Sequence, residues 1–163
     1  MRNFQIAMVT VVAISSFVLV GCGGGGGGDN SSSSQNQNPL IGTYKASSIE
    51  TASGQQMPCP GSFTLAPTVF LECGSNDTST FGADGTVTNF DSLHNQTYKE
   101  TYTVSGNMVT INAPANGADA AFSSTYQFSF SGSLLTLKQI SSTSPDPTLG
   151  SDYNGSSSTG QKQ

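Results

Sequence analysis

The 163-residue chain has room for one small domain, and only 9% of its side chains are charged. Five Lys and Arg stand against ten Asp and Glu, a balance that excludes nucleic acid as a partner, because phosphates must be neutralised by basic patches. Low charge together with abundant Ser, Thr, Asn, Gln and Gly points to an exported β protein.

Arg2 supplies a short positive start, Phe4 to Val20 form an apolar run, and Gly21 precedes Cys22. This is signal-peptide grammar over residues 1–21. A membrane span is the lesser reading, since the run is short and no basic flank follows it. Leu19-Val20-Gly21-Cys22 resembles a bacterial lipobox. The resemblance implies that Cys22 receives a diacylglyceryl thioether, becomes the first residue of the mature chain and is then N-acylated, making the membrane a partner through a lipid anchor. Gly23 stands where an Asp would favour inner-membrane retention. By the same analogy the expected address is the cell envelope, at the outer membrane.

Residues 22–39, the lipidated Cys with its Gly, Ser and Asn stretch, read as a flexible tether. The glycine run lacks the Lys-Ser/Thr ending of a phosphate loop. The folding region is expected over residues 40–143. Cys59 and Cys73 are the two cysteines left once Cys22 is acylated, and in an exported domain an even pair reads as a disulfide. Their spacing is not Cys-x-x-Cys, and the single His cannot complete a usual zinc set, so neither metal nor cofactor is expected.

Period-two alternation then dominates. Thr78–Phe81 and Thr86–Phe90 flank a turn at Gly82–Gly85, and Asp84 reads as a turn residue rather than a calcium ligand. His94 follows Asp91 and Ser92, but sequence neighbours in a loop seldom reach triad geometry, so no catalytic residue is assigned. Two further hairpins turn at Ser105-Gly106-Asn107 and Ser131-Gly132-Ser133. They repeat each other: Tyr102 and Val104 answer to Phe128 and Phe130, and Val109 and Ile111 to Leu135 and Leu137. All are expected to face one core. Glu100 falls on the same inward face as Tyr98 and Tyr102. It is either an anchor for a polar ligand group or a solvated carboxylate at the mouth, and the cost of burying an unpaired carboxylate favours the mouth. Residues 144–163 read as a disordered tail.

The fold expected is all-β: a small up-and-down antiparallel meander closing into a barrel, with an open sandwich as the alternative. The stretches "LIGTYKASSIE", "STFGADGTVT", "YTVSGNMVTI" and "TYQFSFSGSLLTL" resemble bacterial lipocalin-like domains, with Tyr44 standing where lipocalins carry Trp. The resemblance implies a barrel that binds a small apolar or amphipathic ligand, without enzymatic activity. The alternative is an envelope interaction module with a filled core.

Overall fold

A computed structural model of the chain describes residues 38–66, 69–115, 120–144 and 154–163. The expected signal peptide, Cys22 and nearly all of the expected tether lie outside the described residues. The described residues form eleven strands: β1 (Gly42–Glu50), β2 (Gln56–Pro58), β3 (Gly61–Ala66), β4 (Val69–Cys73), β5 (Thr78–Phe81), β6 (Thr86–Asp91), β7 (Gln96–Ser105), β8 (Met108–Ala113), β9 (Phe122–Ser131), β10 (Leu134–Ser142) and β11 (Ser157–Lys162).

The three expected hairpins are β5–β6, β7–β8 and β9–β10. The last two are each joined by a two-residue turn whose first residue, Gly106 or Gly132, has φ near +60°. Glycine adopts this conformation without steric cost, and the resulting turn twist matches that of the strands. In the β5–β6 turn, the Asp84 carboxylate accepts from Thr86 N at 3.0 Å and Thr86 Oγ1 at 2.6 Å, which holds its pKa low. Asp84 is thus a turn brace, as expected.

Strands β5 through β11 run as an antiparallel meander, and β1 joins β11 to β5. The result is a closed eight-stranded barrel, in which the wall satisfies its own backbone hydrogen bonds and exposes no edge along its seam. β2 pairs with the far half of β1, beyond the end of β5, and β3–β4 forms a separate two-stranded hairpin.

The expectation of a disordered tail is corrected at its end, because Ser157–Lys162 is the strand that closes the barrel. It pairs with Tyr44 to Glu50 on one side and with Leu134 to Lys138 on the other. Its sequence, Ser-Ser-Thr-Gly-Gln-Lys, has no apolar residue, so alternation could not reveal it. Two otherwise unpaired edges recruit it. Gly160 lies opposite both Ala46 and Leu135, and a Cβ there would meet Tyr44 Cβ at 3.1 Å. The missing side chain lets Tyr44 fill the interior from across the seam.

The repeated hairpins pair as their alternation requires: Tyr102 with Ile111, Val104 with Val109, Phe128 with Leu137 and Phe130 with Leu135. Phe128 is buried in the main core with Tyr102, Val109 and Ile111, and Val104 packs against that core. Phe130 departs from expectation and is 41% exposed. It is the last inward residue before the β9–β10 turn, so it stands at the rim, with ring centroids 6.0 Å from Phe128 and 6.4 Å from Tyr44.

This rim belongs to the closed end of the barrel. Leu40, fully buried, plugs it just before β1. Tyr44, Phe81 and Tyr102 stack edge-to-face above it, with centroid separations of 6.1 and 5.1 Å. Asn38 Nδ2 donates to Tyr102 Oη at 2.6 Å, and Tyr102 Oη donates to Gly82 O at 2.7 Å, fixing the segment before β1 to the β5–β6 turn. At the opposite end, Cys59 and Cys73 form the expected disulfide, with Cα atoms 5.4 Å apart. It joins the β3–β4 hairpin to the end of β2 within a second apolar cluster of Ile49 and Leu71.

Candidate functional site

The barrel interior divides into two halves. The closed half is filled by the main core, while the open half holds a cavity of about 170 Å³. Phe81, Leu135 and Leu137 form its apolar floor, and Ile49, Leu71 and the half-exposed Leu93 form its mouth.

Strand register places a polar belt around this space. Tyr44 lies opposite Ser79, Ser79 opposite Asn89, and Asn89 opposite Tyr98. Directly opposed residues share a sheet face, and all four of these line the cavity. Ser79 Oγ donates to Asn89 Oδ1 at 2.6 Å, and Asn89 Nδ2 donates to Glu100 Oε2 at 3.2 Å. Tyr98 Oη donates to Gln96 Oε1. Tyr44 Oη is buried and has no hydrogen-bond partner among the described residues.

Glu100 departs from the expected solvated position at the mouth. It is only 3% exposed and sits one hydrogen bond behind the cavity wall, through Asn89. Desolvation pushes its pKa up to about 7, because burial penalises the charged form. Nearby phenols are shifted the same way. Burial lifts Tyr126 to about 12, with the Glu100 charge adding to the effect, and burial raises Tyr98, with Asp91 contributing. Burial also raises Tyr44, reinforced by Tyr102.

The Asp91–Ser92–His94 run is a braced turn. Asp91 Oδ1 accepts from Leu93 N at 2.9 Å and His94 N at 3.1 Å, and Asp91 Oδ2 lies 3.1 Å from His94 Nδ1. Ser92 Oγ donates instead to Asp77 Oδ1 at 2.7 Å, while Asp77 Oδ2 accepts from Gly74 N at 2.6 Å. Asp77 thereby ties the β4–β5 connection to the β6–β7 turn. Among the described residues, no group of three or more His, Cys, Asp or Glu side chains is placed to hold a metal.

Sequence alternation identified Tyr98 and Glu100 as inward-facing but left the belt unrecognised. Ser79 and Asn89 sit in an ordinary β-hairpin pattern, and only the barrel's stagger brings them level with Tyr44. The cavity thus has an apolar floor beneath a hydrogen-bonding belt. No curated protein and no solved structure matches the chain significantly. The family model of the lipocalin-like domain matches residues 40–137, more than half of the chain, and the protein belongs to that family.

Proposed function

We propose that the protein is a lipid-anchored bacterial envelope protein whose barrel binds a small apolar or amphipathic molecule in the open-end cavity. The observation that carries the binding reading is the cavity itself, with Phe81, Leu135 and Leu137 below a belt of hydrogen-bonding groups. Pockets of this composition orient a ligand by a few polar contacts and hold it by apolar burial. The lipobox carries the anchor. Each buried methylene is worth about 0.8 kcal/mol, so two or three acyl chains on Cys22 would hold the protein almost permanently. The Cys59–Cys73 disulfide fits an exported protein. Asn38 is bonded to Tyr102 at the closed end, opposite the cavity mouth.

Two measurements test this. Metabolic labelling with a fatty-acid analogue should mark the wild type and not Cys22→Ser; an unlabelled wild type in a bacterial host removes the anchor. Native mass spectrometry of protein from its own host should show a co-purifying small molecule. A non-enzymatic interaction module is the second reading, favoured by a cavity of about 170 Å³ against the roughly 300–1,000 Å³ of typical ligand pockets. Protein that is consistently ligand-free and indifferent to apolar probes would decide for it.

A further inference from the structure

We propose that the cavity takes a small organic amine, its ammonium lodged at the polar belt beside Glu100 and its hydrocarbon against Phe81, Leu135 and Leu137. This rests on the binding reading above and narrows it to one class of ligand.

The charge lining the cavity is of one sign. Glu72, Asp77 and Asp91 line the cavity, and none of its described lining residues is Lys, Arg or His. Asp77 is engaged with Gly74 and Ser92, and Asp91 with His94 and its own turn. Glu100 differs: its hydrogen bond comes from the neutral amide of Asn89, and no cation among the described residues contacts it. A carboxylate so buried is costly while alone and becomes favourable when a cation arrives. Its elevated pKa, about 7, records that cost.

Tyr44 Oη is buried without a partner, on a residue that lines the same cavity and stands in the same cross-strand row as Ser79 and Asn89. An unpaired buried hydroxyl is a rarity that calls for an occupant. An ammonium brings three donors and no acceptor to a wall whose acceptors include the Tyr44 hydroxyl and Asn89 Oδ1, with the Glu100 carboxylate one hydrogen bond behind it. A ligand headed by a carboxylate could accept from the Tyr44 hydroxyl, but it would bring a charge of the wrong sign beside Glu100.

Size sets the remaining limit. A dry cavity of roughly 150 Å³ accepts benzene, so about 170 Å³ suits one ring or a short alkyl chain rather than a long lipid.

The test is calorimetric titration of the full-length chain at pH 8, above the Glu100 titration, with benzylamine, benzyl alcohol and benzoate. Benzylamine should bind about tenfold or more tightly than benzyl alcohol, the scale of one buried charge pair, and benzoate should bind most weakly. Glu100→Gln, which keeps the shape and the contact to Asn89, should abolish the preference, bringing benzylamine to the affinity of benzyl alcohol in the same variant. Equal affinities for amine and alcohol in the wild type would overturn the amine class but leave the binding cavity standing. An amine preference that survives in Glu100→Gln would also overturn it. Failure of all three compounds to bind would overturn the cavity reading as well.

Discussion

Glu100→Gln should change not only how stable the barrel is but how that stability responds to pH. The Glu100 carboxyl is buried, and desolvation raises its pKa from an ordinary 4.5 to about 7. Below pH 4.5 it is protonated in both folded and unfolded chains, so it costs nothing there. Between 4.5 and 7 the unfolded chain releases the proton while the folded chain keeps it, and stability falls as pH rises. At about 1.4 kcal/mol per pH unit, the gap amounts to about 3 kcal/mol, fully lost above pH 7. Gln carries no such proton and can still accept from Asn89. Glu100→Gln should therefore match the wild type near pH 4 and exceed it by about 3 kcal/mol at pH 8. The phenols of Tyr98, Tyr102 and Tyr126 are all raised above their ordinary 10 and titrate outside this window. Urea denaturation of both full-length chains at several pH values from 4 to 8 measures the difference directly. A stability difference that stays flat across that window would refute the buried, uncompensated carboxyl.

Phe128→Ala should cost about 3–5 kcal/mol in chemical denaturation, as for an aromatic truncated in a packed core, while the exposed Ser129→Ala should stay within about 0.5 kcal/mol. Equal small effects would refute the register of β9. Replacing both Cys59 and Cys73 with Ser should cost about 3 kcal/mol, the loop-closure contribution of a bridge between residues 14 apart. Non-reducing peptide mapping of the wild type should show the linked peptides. Deleting residues 154–163 should strip the pairing from β1 and β10, giving a broadened thermal transition and self-association by size exclusion. A sharp, monomeric transition in the truncated chain would show that β11 is dispensable.

The parts legible in the sequence were those whose side chains carry the fold's own period. Val87, Val109, Ile111, Leu135 and Leu137 alternate with polar residues, and glycines mark the turns, so three hairpins and their shared core followed. The cysteine pair followed from the context of export. β11 was hidden because its seam position demands small and polar residues, leaving no hydrophobic signal. For Glu100, alternation gives the correct face but not the depth. Alternation tells inward from outward, whereas height along the barrel axis depends on the stagger between strands. The same stagger makes a belt of Tyr44, Ser79, Asn89 and Tyr98, which are scattered along the chain. Phe130 shows the converse: an inward-facing residue at a strand's last position reaches only the rim.

The closing strand also governs the order in which this domain can be completed. Ser47 Oγ donates to Thr159 O at 2.9 Å across 112 residues of chain. Contacts of such separation cost loop-closure entropy before they return any stabilisation, so they form late and slow folding. A chain delivered N-terminus first can zip β5 through β10 hairpin by hairpin, with β1 docked on β5. It must then wait, with one edge of β1 and one of β10 bare, until residues 157–162 arrive. During that interval those bare edges are open to chaperones and to other chains, and the arrival of a single polar strand ends the exposure.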